Sequence, residues 1–287
     1  MTELNSSLRP PDAEEEKILE DNEMKWFNLF LTILILGANR HLLSQEIDAR
    51  VIMDRSLSAT RLAGVEAVST MTIVDSKGRE RVRKIAQVTK LYDDGKTEKK
   101  LIRFLSPADV KGTGLLTWDY DDKDDDMWLY MPALRKTRRI VSSEKAKSFM
   151  GSEFSYADIN PPTLDDFDFR LLGEETVGGV PCHKIQMTPK DDDIADENGF
   201  TQRVSWVGKE DYVVRQSEYT DFDGELFKRL TVNEVRLIDP EHKKYRIIDM
   251  VMENLLDDRR SMLVIDQIQF NPQVGDEYFT ARYLERQ

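Results

Sequence analysis

The sequence predicts a mainly β (α+β) fold: one antiparallel sheet of about 11 strands, covered by an amino-terminal helix and a short helical segment. Three observations lead there. Apolar residues alternate with a period of two over most of the chain after Leu62, turn signals recur at hairpin spacing, and only two stretches depart from that pattern.

The first departure runs from Ser44 to Leu62. Ala49, Ile52, Met53, Ser56, Leu57 and Thr60 fall on one face at helical spacing, while Asp48, Arg50, Asp54, Arg55 and Arg61 fall mostly elsewhere. This spacing predicts an amphipathic helix, with Ser44 as its cap. Period two then begins with Val65, Ala67, Ser69, Met71 and Ile73, and Asp75-Ser76-Lys77-Gly78 turns the chain into a second strand ending near Leu91. Further turns fall at Asp93-Asp94-Gly95-Lys96, Asp121-Asp122-Lys123-Asp124, Val177-Gly178-Gly179, Gly208-Lys209-Glu210-Asp211, Asp221-Phe222-Asp223-Gly224 and Asp239-Pro240-Glu241-His242. Connections this short join antiparallel neighbours.

The second departure is Val141 to Asp165. Ser142-Ser143-Glu144-Lys145 suits a short helix, Asn160-Pro161-Pro162 breaks what precedes it, and another short helix is expected near Leu164 to Phe167. A barrel of about eight strands is just filled by its own side chains, so a wider curved sheet needs a plug. The two departures are the candidates for it, and incomplete plugging leaves an apolar cavity.

The 287 residues, 40% of them hydrophobic, suffice for one domain spanning 45–287. A net charge of -13 argues against nucleic acid and against adhesion to an anionic leaflet, both of which reward surplus lysine and arginine. Cys182 is the sole cysteine, so no disulfide forms within the chain and a thiolate zinc site lacks its usual ligands. In the strand-like run Pro181-Cys182-His183-Lys184-Ile185 it reads as a small packed residue.

Trp26 to Ala38 is the longest apolar run and is shorter than the roughly 20 residues that span a bilayer. Its length suits the apolar region of a secretory signal peptide. Residues 1–23 are strongly acidic, and Met24-Lys25 stands directly before the run. The expectation is that translation starts at Met24 and that residues 1–44 comprise an extension and a cleavable signal; the alternative is an uncleaved tethering or buried helix.

Trp118, Trp128, Tyr130, Met131, Phe149, Met150, Phe154 and Tyr156 form the candidate ligand-contact group. Aromatic and methionine side chains adapt to flexible alkyl chains, although each also suits ordinary core packing. Arg135, Lys136, Arg138 and Arg139 form the one dense basic patch; it reads as a solvated strand end, or as a rim for a phosphate head group or an acidic membrane partner. The aspartate runs at 121–126 and 191–193 invite calcium. Placing Gly199 at the sixth position of an EF-hand loop puts Ile194 first and Ser205 twelfth, where carboxylates are needed, so Asp191 to Gly199 is expected to be a mobile loop. Gly112 to Thr117 lacks the third glycine of a dinucleotide loop. His41, His183 and His242 are scattered; His183 either lines the interior beside Ile185 and Met187 or is a structural histidine. No catalytic residue, cofactor or metal is expected.

Arg103-Phe104-Leu105-Ser106-Pro107, Lys111-Gly112-Thr113-Gly114, Trp128 to Leu134, Arg138-Arg139-Ile140 and Phe149 to Tyr156 together resemble the outer-membrane lipoprotein-sorting proteins, a LolA-like family. Asp223 to Lys228, Phe270-Asn271-Pro272 and Glu277 to Thr280 extend the resemblance over nearly all of the chain after Ser44. It implies an unclosed antiparallel barrel covered by helices, whose cavity takes acyl chains of a lipid or lipoprotein in a periplasmic, non-enzymatic carrier. It also implies a possible partnership with an inner-membrane lipid exporter of the resistance-nodulation-division (RND) type. The alternative is a docking module or accessory subunit of such an exporter, with a filled interior. Amino-terminal sequencing of the native protein is expected to find nothing before Gly37; recovery of the acidic leader on the mature chain contradicts the export reading.

Overall fold

The computed structural model describes residues 48–121 and 123–286. The expected signal peptide and Ser44 lie outside them. Helix α1, Ala49–Thr60, is capped by Asp48, whose carboxylate accepts from the Arg50 backbone N–H at 2.9 Å. The cap is therefore Asp48 and not Ser44. Thirteen strands follow: β1 Gly64–Val74, β2 Glu80–Tyr92, β3 Thr97–Ser106, β4 Gly114–Tyr120, β5 Asp126–Met131, β6 Lys136–Arg139, β7 Phe167–Val177, β8 Val180–Pro189, β9 Gln202–Gly208, β10 Val214–Thr220, β11 Leu226–Asp239, β12 Lys244–Asn254 and β13 Arg259–Phe270. The shortest, β6, is Lys-Thr-Arg-Arg and carries no apolar alternation to reveal it.

All pairings are antiparallel, in the order β6-β5-β4-β3-β2-β1-β13-β12-β11-β10-β9-β8-β7. The first and last strands thus meet at the centre, with Val65 opposite Phe270 and Val74 opposite Arg260. The free edges are β6 and β7, consecutive in the chain, so their connection has to travel from one edge of the curved sheet to the other. It begins at Ile140, contains helix α2 (Ser142–Lys145), and ends in a 3-10 turn at Leu164–Asp166.

Alternation sorts the strand residues onto two faces. On the concave face Met71, Ile85, Ile102, Leu115, Met187 and Met252 pack with Phe149, Phe154 and Tyr156 of the connection. On the convex face Leu101, Leu116 and Tyr130 are covered by Val274, Phe279 and Leu284 of the carboxyl-terminal segment, which includes α4, Ala281–Leu284. Helix α1 lies within the curve, with Ile52 and Met53 against Ile185 and Val207.

The stretch expected to be a mobile loop is instead helix α3, Asp192–Asn198. The Asp191 side chain caps it by accepting from the Ile194 N–H at 2.9 Å, and Gly199 ends it with a left-handed φ of 76°. Both are ordinary helix punctuation. The aspartate run obscured them by reading as a solvated tract.

Two contacts hold the framework at its junctions. Gly64 opens β1 and its carbonyl accepts from the Asn271 N–H at 2.9 Å. A Cβ on Gly64 would stand 2.1 Å from the Asn271 carbonyl oxygen, so only glycine lets the two central strands come this close. Arg61, just past α1, pairs with Asp119 at 3.3 Å and Asp121 at 2.8 Å, joining the helix to β4. Burial, helped by Asp125 and Glu98, outweighs the opposing pull of Lys100 and Arg61 and raises the Asp119 carboxyl to about 7.

Gly64→Ala is expected to destabilise the protein by about 3 kcal/mol in urea unfolding, because backbone and not a mobile side chain has to yield; a loss within experimental error contradicts the close approach. For Asp119 the folded chain keeps the proton up to about pH 7, whereas the ordinary value is 3.8, so its contribution is present below that value and is lost as pH rises through about 7. The wild-type urea midpoint is therefore expected to fall more between about pH 5 and about pH 8 than that of Asp119→Asn. Parallel curves contradict this.

Candidate functional site

The concave face is not filled. Between α1, the β6–β7 connection and the sheet lies a cavity of about 340 Å³. Met53 and Leu57 of α1, Met71 of β1, Met250 and Met252 of β12, and Leu263 of β13 supply much of its apolar wall. Phe149 and Phe154 close one side, positioned by a tight turn in which the Phe149 N–H donates to the Phe154 carbonyl at 2.7 Å. Methionines present a soft, adaptable surface to whatever enters.

The connection is tied to strands on both sides of the sheet. Arg83 of β2 donates to the Met150 carbonyl, Lys100 of β3 donates to the Ile159 carbonyl at 2.6 Å, and Ser261 of β13 accepts from the Glu153 N–H at 2.9 Å. Lys228 of β11 forms a buried pair with Asp158 at 2.6 Å. Burial alone raises the pKa of that carboxyl, yet Lys228 and the Ser155 N–H and hydroxyl outweigh it and hold Asp158 below its ordinary value. On Lys228, burial is in turn overcome by Asp158, leaving the ammonium above its own. Both partners stay charged.

A second, polar groove of about 560 Å³ lies beside the cavity, lined by Arg61, Asp94, Asp119, Asp121, His242 and Lys244 among others. Leu57, Arg61 and Pro162 line both spaces and so form the partition between them. On the cavity side Glu98 and Lys100 make a buried ion pair at 3.1 Å. Burial acts to raise the Glu98 pKa, but Lys100, Arg246 and Arg61 together bring it below the ordinary value.

The eight residues expected to contact ligand divide between faces. Phe149 and Phe154 line the cavity. Tyr156, Met131 and Met150 belong to the same interior cluster behind that wall. Trp118, Trp128 and Tyr130 lie on the convex face, where the two indoles meet edge to face at 5.3 Å and Lys99 sits 4.1 Å from the Trp118 ring. The reason is strand parity: Leu129 and Met131 point inward, so Trp128 and Tyr130 point outward. The methionines of β12 and the charged residues Glu98, Lys100, Arg203 and Arg246 also line the cavity and were not anticipated. Parity carried a signal for Glu98 and Lys100, which alternate in step with the inward Ile102 and Phe104.

The remaining motifs have structural roles. Arg138 pairs with Glu144 and Arg139 with Asp126, both at 2.6 Å, on an exposed strand. Asp125 accepts from the Asn160 amide at 2.8 Å. His183 is buried without lining the cavity; burial, aided by Lys209, lowers its pKa against the pull of Glu174. Cys182 is fully buried and burial raises its thiol pKa. Among the described residues no group of three or more His, Cys, Asp or Glu side chains is placed to hold a metal ion.

A family model described only as that of an uncharacterized protein matches residues 96–286. No curated protein matches the chain. Among solved structures, an outer membrane lipoprotein-sorting protein domain from Vibrio parahaemolyticus is 27% identical, with a TM-score of 0.75 over 83% of this chain and 98% of that one. A DUF1329 family protein from Desulfovibrio piger is 30% identical, with a TM-score of 0.75 over 82% of this chain and 97% of that one. A LolA superfamily protein from Nitrosomonas europaea, 16% identical, shares the fold at a TM-score of 0.62 over 83% and 99% of the two chains. With the same open sheet and nearly the full length of these relatives, the chain belongs to the DUF1329 family and carries the LolA-like fold of outer-membrane lipoprotein-sorting proteins.

Proposed function

We propose that this chain is a periplasmic carrier that takes acyl chains of a lipid or lipoprotein into the cavity and shuttles them toward the outer membrane, with no chemistry done on the cargo. The observation that supports this reading is the apolar cavity itself, walled by Met53, Met71, Met250 and Met252 and joined to a polar groove through a partition of three side chains. Space of about 340 Å³ holds about 11 groups the size of a water molecule, at ~30 Å³ each. One acyl chain of about that length fits the arrangement described; a cargo with several chains requires α1 or the β6–β7 connection to move.

Burying each methylene contributes about 0.8 kcal/mol, and a bilayer offers the same gain. Transfer between the two is therefore close to balanced, and modest movement of the partition or a membrane partner suffices to bias it. An RND-type inner-membrane exporter is a partner of the right location for that role. If the chain is instead only a docking module for such an exporter, its interior stays empty in the cell.

Protein purified from the periplasm, extracted and analysed by mass spectrometry, is expected to yield acyl species at close to one per chain. Met250→Trp, which fills the cavity from a partly exposed wall position, is expected to reduce that yield at least fivefold while the protein stays folded by circular dichroism. Empty wild-type protein overturns the carrier reading and favours the docking module.

A further inference from the structure

The cavity wall holds more positive charge than its own carboxylates balance. Its charged residues are Arg61, Lys100, Arg203 and Arg246 against Glu98 and Asp158. Glu98 is taken by Lys100, and Asp158 by Lys228, which is not part of the wall. Arg61 is committed to Asp119 and Asp121. Arg203 reaches the Met187 sulfur at 3.5 Å and stands 6.0 Å from the Tyr219 ring. Arg246 makes no side-chain hydrogen bond and no ion pair among the described residues.

Glu98 attracts this guanidinium without accepting a hydrogen bond from it, so its N–H donors remain available to a ligand. A planar fork of N–H donors matches a carboxylate or a phosphate, and an anion there gains charge-assisted hydrogen bonds. The position of Arg246 is equally informative. It acts on the same carboxylate, Glu98, as Lys100 and Arg61, and Arg61 belongs to the partition with the polar groove. The charged end of the cavity therefore faces the groove, while Met71, Met252 and Leu263 line the apolar part.

The geometry points to an anionic head-group site centred on Arg246, flanked by Lys100 and Arg61, that selects acidic single-chain amphiphiles with the head at the groove and the tail among the methionines. This rests on the carrier reading and adds the cargo's charge to it. Carboxylate and phosphate heads share the required chemistry.

The test measures calorimetric binding of dodecanoate, dodecyl phosphate, dodecanol and inorganic phosphate to the full chain stripped of lipid, at a pH where both acids are ionised. At least one of the two acids is expected to bind about tenfold or more tightly than the alcohol, the ratio expected of a charge-assisted hydrogen bond, and which one does so identifies the head group. Arg246→Met is expected to abolish that preference while dodecanol still binds, which also shows that the variant is folded. Arg203→Met is expected to retain it. Equal affinity of the wild type for all three amphiphiles, or a preference that survives Arg246→Met, overturns the head-group site. Inorganic phosphate binding as tightly as dodecyl phosphate overturns the amphiphile assignment in favour of a free-anion site. Failure of every amphiphile to bind overturns the carrier reading on which the site rests.

Discussion

The structure depends on one topological constraint: the strands at the two free edges of the sheet, β6 and β7, are consecutive in the chain. Every other strand connection joins neighbours in the sheet, the one between β8 and β9 through α3, but this one has to cross the open side of a curved sheet. A peptide placed there cannot add a strand to both edges at once, so it turns inward. Phe149, Phe154 and Tyr156 thereby become the floor of the interior, and α1 becomes the remaining wall. Thirteen strands enclose more space than these elements fill. The cavity is a consequence of connectivity as much as of side-chain choice.

Holding an irregular segment inside a sheet requires that its backbone polar groups find partners. Lys100, Arg83 and Ser261 meet that need from three separate strands, and the buried Lys228–Asp158 pair adds a charged tie from a fourth. These groups lie inside a largely apolar interior, where a half-satisfied network is worse than none. The same interior thus combines a soft methionine wall with stiff polar anchors. Arg246 lines the same cavity without a side-chain hydrogen bond or ion pair among the described residues, which is why the head-group proposal centres on it.

Alternation along the strands made the sheet, its antiparallel pairing and the plugging role of residues 141–165 legible from the sequence. An amphipathic helix within residues 44–62 was legible too from its apolar spacing, and α1 occupies 49–60 of that stretch. The lining of the cavity was only partly so. Reading Trp118, Trp128 and Tyr130 as one group with Phe149 and Phe154 ignored strand parity, which sends Trp128 and Tyr130 to the face opposite Leu129 and Met131. Composition alone does not say which face is concave. The charged wall residues were hidden for a different reason: parity puts Glu98 and Lys100 on one face with Ile102 and Phe104, but a charged pair does not reveal that its face is the concave one. Helix α3 was missed because a run of acids masked an ordinary cap at Asp191 and stop at Gly199.

A carrier of this architecture holds hydrocarbon in the concave interior and not on the aromatic convex face. A crystal structure of the protein loaded with a fatty acid carrying bromine at its methyl end tests this directly through the anomalous signal of the bromine. The predicted result is a peak among Met71, Met252, Leu263 and Phe154. A peak only beside Trp118 and Trp128 under the carboxyl-terminal segment contradicts it.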